Sequence, residues 1–107
     1  MIEIQTRPNG TVRVGPVGDL DWTHATALRH AVHDVLEMEM GVEFDLGDVI
    51  SIDAVGISAL LGSVRRIRSA GGEVRITNMK PQIRSRLQLL GMEPEFLAAT
   101  RDCGNAA

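Results

Sequence analysis

The sequence predicts an α/β domain in which a mixed β-sheet is flanked by α-helices, with the element order ββαβαβα and a possible short final strand or helix. Segments in which apolar and polar residues alternate, as in strands, are interleaved with segments whose apolar residues recur every three or four positions, as in helices. Each strand after the second is followed by a helix long enough to cross the sheet, an order that requires parallel pairing. The 107 residues suffice for one domain, which we place at 1–100, with 101–107 expected to be a disordered tail.

Two short strands open the chain. Ile2 and Ile4 alternate with polar residues, and a similar alternation returns over residues 11–14. The proline, asparagine and glycine at positions 8–10 lie between them and favour a turn. We therefore expect an antiparallel hairpin, which the glycines and proline of residues 15–18 bring to an end.

The first helix is predicted over about residues 23–39. Its expected N-cap is Thr23 or Asp21, because a side-chain oxygen there can accept the first free backbone N–H groups. Gly41 is placed to end the helix in the left-handed conformation that glycine adopts at low cost. The apolar residues at helical spacing form its buried stripe: Leu28, Ala31, Val32, Val35 and Leu36.

A strand is predicted next over residues 42–46, where valine, phenylalanine and leucine alternate with two acids. A second stretch of strand character, 49–52, leads directly into the second helix. Gly71 and Gly72 are expected to end that helix. Its inward stripe is Ile57, Leu60, Leu61, Val64 and Ile67.

A last strand and helix complete the pattern. The strand is expected over 74–76, and Pro81 suits the first turn of the helix, which Gly91 closes. Phe96 and Leu97 then form a possible packing segment. The stripe of this last helix is Ile83, Leu87 and Leu90.

Charge is distributed unevenly along the chain. Residues 1–53 hold three basic and ten acidic side chains, whereas residues 54–107 hold eight basic and four acidic ones. The basic half could attract phosphate or an acidic partner, although a solvated helix face is the simpler interpretation. The whole chain has three aromatic residues, too few to form a surface on which the bases of single-stranded nucleic acid could stack, so we expect no nucleic-acid binding.

The sequence contains neither an apolar run of the length that spans a bilayer nor the pattern of a secretory leader, so we expect no membrane insertion and a cytoplasmic location. Cys103 is the single cysteine, which excludes a disulfide framework and a cysteine-based zinc site.

Patterns typical of enzymes are missing. The sequence has no G-x-S-x-G elbow, no Walker-type loop, no G-x-G-x-x-G after a strand and no C-x-x-C pair. His30 and His33 share a helix stripe with Asp34 and Glu37, a spacing that could hold a metal, but this stripe lies beside the core stripe and is expected to be solvated. We therefore expect no enzymatic activity, no metal and no cofactor.

The most informative stretch is residues 48–62, DVISIDAVGISALLG. A strand ends at Ile52, and Asp53 can cap the following helix by accepting an N–H from Val55 or Gly56. The glycine would leave the first turn open to close approach by another molecule, and such a helix start can hold an anion or a phosphoryl group. The alternative is a capped helix whose glycine merely permits packing.

Three blocks in this order resemble the STAS domain of the anti-sigma factor antagonist (anti-anti-sigma factor) family, over about residues 2–96. They are the turn GDLD at 18–21, the strand FDL at 44–46 with Val49 and Ile52-Asp53 after it, and the stretch 56–61 with Gly71-Gly72. The resemblance implies a STAS-type mixed sheet flanked by helices and a binding role. Antagonists of this family bind an anti-sigma factor with a histidine-kinase-like ATPase fold. That partner is a serine kinase, which ends the binding by phosphorylating a Ser or Thr in D-S-S-G or D-S-T-G.

The chain departs from that motif at the residue that the kinase phosphorylates in this family. Asp53 and Gly56 match it, but Ala54 and Val55 stand between them, and Val55 occupies the acceptor position without a hydroxyl. The resemblance therefore implies a docking surface without phosphorylation at the usual residue. Ser58, one helical turn further on, is the nearest alternative acceptor, and Ser51 is a second.

The expected docking surface combines the turn at Asp21 and Trp22 with the helix start over 53–58, from which the candidate contacts are Asp53, Ala54, Val55, Gly56 and Ser58. An exposed Trp22 would suit an interface anchor, whereas a buried one would staple the helix to the sheet edge.

Two hypotheses for the function follow. The first is a bacterial signalling antagonist that binds an ATPase-type anti-sigma factor and so regulates sigma-factor-dependent transcription without the serine switch. The second is a constitutive structural STAS subunit of a lipid-transport complex or a stress-signalling scaffold. The sequence leaves open the identity of the partner, the sigma factor, the oligomeric state and nucleotide binding.

Overall fold

The computed structural model of the protein describes residues 1–38 and 41–89. Within these residues the element order is βββαββαβα, and the predicted α/β class is confirmed. Two strands are absent from the predicted order: one falls in the stretch 49–52, to which the sequence gave strand character, and the other, at 18–20, was not predicted. The elements are β1 (Ile2–Thr6), β2 (Thr11–Pro16), β3 (Gly18–Leu20), α1 (Trp22–Leu36), β4 (Gly41–Asp45), β5 (Val49–Ile52), α2 (Ala54–Ser69), β6 (Val74–Thr77) and α3 (Pro81–Leu89).

The strands form a mixed four-stranded sheet and a separate pair. In the four-stranded sheet the order is β1-β2-β4-β6, with β1 and β2 antiparallel, as predicted for the hairpin. β2 pairs with β4 and β4 with β6 in parallel, because α1 and α2 carry the chain back across the sheet. β3 and β5 form a parallel pair of their own.

The expectation that residues 15–18 end the strand pattern is wrong. β2 continues to Pro16, and Gly18, at a φ of 90°, turns the chain before it extends again as β3. Its N–H donates to the carbonyl oxygen of Asp48 at 2.9 Å, so the turn leads β3 directly alongside β5. Glycine permits this bend because it alone adopts a positive φ without steric cost.

The core lies between the sheet and the helices. Val12 and Val14 of β2, with Phe44 of β4, are fully buried and join most residues of the predicted stripes of α1 and α2 in one hydrophobic cluster. The intervening side chains point to the other face of the sheet. There Arg13 Nε donates to Asp45 Oδ2 at 2.8 Å, so this face is held by charged contacts rather than apolar ones.

The end of α1 differs from the prediction. Glu37 is the C-cap in a right-handed conformation, and Gly41 begins β4 with a φ outside the left-handed region. Gly41 is the strand partner of Thr11, and an added Cβ would lie 3.4 Å from that residue's Cγ2. The glycine therefore serves strand pairing rather than helix termination. The predicted helix end at residue 39 lies outside the described residues.

The later boundaries agree with the sequence. Gly71, at a φ of 83°, donates its N–H to Arg68 O, and Gly72 donates to Ile67 O, both at 2.9 Å, the hydrogen bonding that commonly ends a helix at glycine. α3 begins at Pro81 as predicted. Several expectations fall outside the described residues: Leu90 in the last stripe, Gly91 as the helix end, Phe96 and Leu97 as a packing segment, a final strand or helix, and a disordered tail at 101–107.

Candidate functional site

Two helices begin side by side at one end of the domain. β3 and β5 are paired in parallel with Leu20 opposite Ile52, and each strand is followed at once by an aspartate and a helix. Asp21 precedes α1 and Asp53 precedes α2. The two predicted halves of the docking surface, 21–22 and 53–58, are thereby brought together, and we call them the paired helix starts.

Both aspartates act as N-caps: Asp53 as predicted, and Asp21 rather than the alternative Thr23, which lies inside α1. Asp53 Oδ1 accepts the N–H of Gly56 at 2.7 Å, which settles the sequence alternative in favour of Gly56 over Val55. Asp21 Oδ1 accepts the N–H of Thr23 at 3.0 Å and also contacts Nδ1 of His24 at 3.0 Å. The hydroxyl of Thr23, followed by His24 and the Thr23 N–H, lowers the pKa of Asp21 below its ordinary value, despite the opposing effect of desolvation.

The expectation that Gly56 opens the first turn of α2 to another molecule is wrong. Gly56 is buried, and a Cβ placed on it would lie 2.8 Å from the carbonyl carbon of Leu20 and 3.2 Å from Cγ1 of Ile52. The space that the missing side chain leaves is filled by β3 and β5 of the chain itself. Gly56, one of the predicted contact residues, therefore lies beneath the predicted docking surface rather than on it.

The outer side of the paired helix starts is apolar and exposed. Trp22, the first residue of α1, is 70% exposed, so the interpretation of Trp22 as a staple to the sheet edge is wrong. Val55 on α2 is 43% exposed, and Ala54 and Ser58 are exposed beside it. Exposed apolar side chains indicate a binding surface where they lie together, and Trp22 and Val55 stand on adjacent helix starts.

The two alternative hydroxyls differ in their surroundings. Ser58 is exposed on α2, one turn beyond Val55. Ser51 lies on β5, where its Oγ donates to Asp19 Oδ1 at 2.7 Å across the β3–β5 pair. The hydroxyl of Ser51 is therefore already engaged in holding the two strands together.

One feature of this end of the molecule was missed by the sequence reasoning. A cavity of about 370 Å³ lies between β5 and α3, beside Asp21 and Asp53, with Ile50 and Arg86 in its lining. Ile50 is 67% exposed, although the strand pattern gave no reason to set it apart from its apolar neighbours. The available signal was that residues 49–52, VISI, do not alternate strictly between apolar and polar side chains.

The histidine stripe of α1 is solvated. His30, His33, Asp34 and Glu37 are all exposed, and the Nε2 of His33 lies 3.6 Å from Oε1 of Glu37. The parts of the chain that the structure describes contain no group of three or more His, Cys, Asp or Glu side chains arranged to hold a metal ion. In those same parts, no helix has the length and apolar character needed to cross a membrane.

Comparison with solved structures shows similarity to other domains of this architecture. The chain is 19% identical to the anti-sigma factor antagonist SpoIIAA in its unphosphorylated form, with 97% of this chain and 99% of that chain covered and a TM-score of 0.68. For RsbS S58E of Moorella thermoacetica the values are 17% identity, 87% and 80% coverage and a TM-score of 0.74. A sulfate transporter family protein of Wolinella succinogenes is 17% identical, with 92% of this chain and 78% of that chain covered and a TM-score of 0.74.

At these identities the similarity establishes the fold. No curated protein matches the chain. The family model described as STAS domain matches residues 1–103, nearly the whole sequence. Together with the resemblance of the GDLD turn and the D-x-x-G helix start, this match establishes that the chain belongs to the STAS domain family.

Proposed function

We propose that the chain is a non-enzymatic, cytoplasmic antagonist that binds an ATPase-type anti-sigma factor through the paired helix starts and so regulates sigma-factor-dependent transcription. The observation that carries the proposal is the exposure of Trp22 and Val55 on adjacent helix starts. The similarity of the fold to SpoIIAA and RsbS supports the class of partner.

The chemistry of the surface favours binding over catalysis. Asp21 and Asp53 both face backbone N–H groups as helix caps, and so they are held as structural carboxylates. What remains on the outside is apolar, and tryptophan is enriched among the residues that dominate binding energy at interfaces. A surface of this kind gains free energy when a partner removes it from water.

The proposal includes binding that is independent of phosphorylation at the family's usual residue. A phosphate would bring a charge of about −1.5 to −2 into the contact surface and oppose apolar burial. Val55 has no hydroxyl to accept it, so its side chain stays neutral whether or not a kinase docks.

The test is direct binding between the purified chain and each ATPase-type anti-sigma factor of its source genome, immobilised in turn on a sensor surface. We expect one of them to bind, and Trp22→Ala to weaken that binding at least about tenfold, because a buried aromatic anchor contributes several kcal/mol at an interface. The control is Met38→Ala, which removes another exposed apolar side chain beyond the far end of α1. Binding to none of these proteins, or equal effects of the two variants, would contradict the proposal.

A constitutive structural subunit is the second candidate, and a specific observation favours it. Met1 and Ile4 are exposed at β1, an edge strand of the four-stranded sheet, which offers a second apolar surface away from the paired helix starts. The fold similarity to a sulfate transporter family protein is consistent with this role. If it holds, Ile4→Lys should release the chain from its native assembly while Trp22→Ala leaves it bound, the reverse of the outcome for an antagonist.

A further inference from the structure

The outer edge of β1 lacks the features that usually protect the edge of a sheet. β1 is the first strand of the four-stranded sheet, and in the described parts of the chain no strand pairs with its outer side. Proteins commonly block such an edge with proline, lysine or a bulge. β1 contains neither proline nor lysine, and its pairing with β2 is regular from Ile2 to Thr6. Its outward backbone groups are therefore suited to pairing with another strand.

The hydrogen bonds of the hairpin show which backbone groups of β1 point outward. At one end the N–H of Val17 donates to Met1 O, and at the other the N–H of Arg7 donates to Thr11 O, both at 2.8 Å. Along an antiparallel strand, residues that bond to one neighbour alternate with residues that face the other side. Pro16, which has no N–H to donate, accordingly lies opposite an outward-facing residue. The residues of β1 that direct their N–H and C=O groups outward are Ile2, Ile4 and Thr6.

The middle of this edge is also apolar. Ile4 lies opposite the buried Val14, yet its own side chain is 45% exposed and lies outside the core cluster. β6, at the other edge of the sheet, buries both of its apolar residues, Val74 and Ile76. Of the two outer strands of this sheet, β1 is therefore the one that leaves a large apolar side chain in contact with water.

The edge of β1 is complementary to a second copy of itself. In an antiparallel pair centred on Ile4, that residue faces Ile4 of the second copy, and Ile2 faces Thr6. Each outward N–H then meets an outward C=O. On the other face of the sheet Glu3 faces the amide of Gln5, so no like charges lie directly opposite each other. The carboxylate of Glu3 also lies 3.6 Å from Nη1 of Arg13 in its own chain, which reduces repulsion between the two copies.

We propose that the chain forms a two-fold symmetric dimer in which the β1 edges of two copies pair antiparallel, centred on Ile4, and join the two four-stranded sheets into one. The same surface serves both copies, so Ile4 packs against its own counterpart. The inference does not depend on the proposed function.

The arrangement fixes where the paired helix starts lie in the dimer. Val17 pairs with Met1, and from Val17 the chain continues through β3 to Asp21, so the paired helix starts follow the end of the sheet at which β1 begins. Because the two β1 strands run in opposite directions, the two sets of helix starts lie at opposite ends of the dimer. Each set remains open to a partner of its own.

The first test is sedimentation equilibrium of the full chain between about 10 µM and about 1 mM, the range of weak to moderate self-association. We expect the mass to rise from that of one copy to that of two. Ile4→Lys and Ile4→Glu should each stay monomeric, because like charges then meet on the symmetry axis. An equimolar mixture of these two variants should recover a dimer with one chain of each. The control is Ile50→Lys, the same change at an exposed isoleucine of β5, which should sediment like the parent chain.

The second test is amide hydrogen exchange of the parent chain above and below the concentration of the dimer transition. Exchange at Ile2, Ile4 and Thr6 should slow at least about tenfold in the dimer, because these N–H groups become hydrogen-bonded. The amides of Glu3 and Gln5 bond to β2 in either state and should change little. Retained protection at Gln5 also shows that β1 is folded in the charged variants, and if a variant loses it, exchange in the parent chain decides.

Several outcomes would overturn the proposal. They are a parent chain that stays monomeric to about 1 mM, folded Ile4 variants whose mixture does not recover the dimer, and an equal effect of Ile50→Lys. Slow exchange at Ile4 in a monomer would assign this edge to residues 90–107 of the same chain. A monomer with fast exchange at Ile4 would leave the edge to a different subunit. Because no anti-sigma factor is present, each of these failures leaves the proposed function standing, and that function fails separately in the Trp22→Ala comparison.

Discussion

The first turn of α2 packs so closely on β3 that the hydrogen atom of Gly56 is the largest side chain that fits against the carbonyl group of Leu20. A Cβ at this position would lie 2.8 Å from the carbonyl carbon of Leu20. The contact fixes the height of the α2 start relative to the α1 start, because β3 leads directly into Asp21 and α1. The relative position of Trp22 and Val55 therefore depends on it.

Gly56→Ala should lower the free energy of unfolding by about 1–3 kcal/mol, since a methyl group forced against backbone must move β3 or α2. Gly62→Ala is the matched control on the same helix, because Gly62 is exposed and a Cβ there meets nothing within 4 Å. The control should raise stability by up to about 1 kcal/mol, the ordinary gain from alanine over glycine in a helix. Urea unfolding measures the stability of both variants. A Gly56→Ala variant that is more stable than the parent chain would show that the first turn of α2 can move to accommodate a methyl group.

Val55→Asp should weaken partner binding at least about tenfold, because a carboxylate replaces an apolar contact whose burial contributes on the order of 1 kcal/mol and must itself lose water. The fold should be unaffected, since an acid in the first turn of a helix is favoured by the free N–H groups there. We therefore expect a Tm near that of the parent chain and a faster dissociation rate from the anti-sigma factor. Unchanged affinity would exclude Val55 from the interface.

Val55→Ser should restore a phosphate acceptor at the family position. Incubation of this variant with the bound anti-sigma factor and ATP is expected to add one phosphate, which intact-mass measurement detects. The parent chain should keep its mass under the same conditions. A phosphate on the parent, mapped to Ser58 or Ser51, would contradict constitutive binding.

Asp45 should make the stability of the fold sensitive to acid. Desolvation raises the pKa of its carboxyl, but the Gly47 N–H, the Asn78 side chain and the Arg13 guanidinium together outweigh it and hold the pKa below its ordinary value. A depressed carboxyl pKa contributes stability that is present above the unfolded-state value, near pH 4, and is lost as the pH falls towards the folded-state value.

Asp45→Asn should accordingly lower the free energy of unfolding at neutral pH by about 1–3 kcal/mol and flatten its decline below pH 4. The control is Asp48→Asn, which removes an exposed carboxylate in the turn between β4 and β5 that makes no ion pair with a described residue. The free energy of unfolding is measured between about pH 2.5 and 7 for each variant. If it declines with falling pH equally in the parent chain and in Asp45→Asn, the Asp45 carboxylate is not the source of the acid sensitivity.

The sequence predicted the elements whose signals are local. The caps at Asp21 and Asp53, the glycine helix end at Gly71 and the start of α3 at Pro81 depend on side chains within a few positions of each boundary, and all are found.

The errors in the sequence predictions arose where the structure of a segment depends on residues that are distant from it in the chain. β3 exists because β5, about thirty residues later, supplies its hydrogen bonds, and Gly56 is buried because Leu20 occupies its space. The cavity beside Ile50 exists because α3, which lies far along the chain from β5, packs next to that strand. The spacing of apolar residues, every second residue in a strand and every 3.6 residues in a helix, carries no information about which distant segments come together.

Parallel pairing also has a kinetic consequence. Thr11 lies opposite Gly41 and Val42 opposite Val74, partners 30 and 32 positions apart in the chain, whereas the hairpin joins Thr6 to Val12. The hairpin and helices can form locally in microseconds, but the central ladder must wait for the closure of loops of about thirty residues. During synthesis β6 reaches β4 only after the whole of α2 has been made, so a nascent chain that has made β4 alone presents one edge of that strand to other chains.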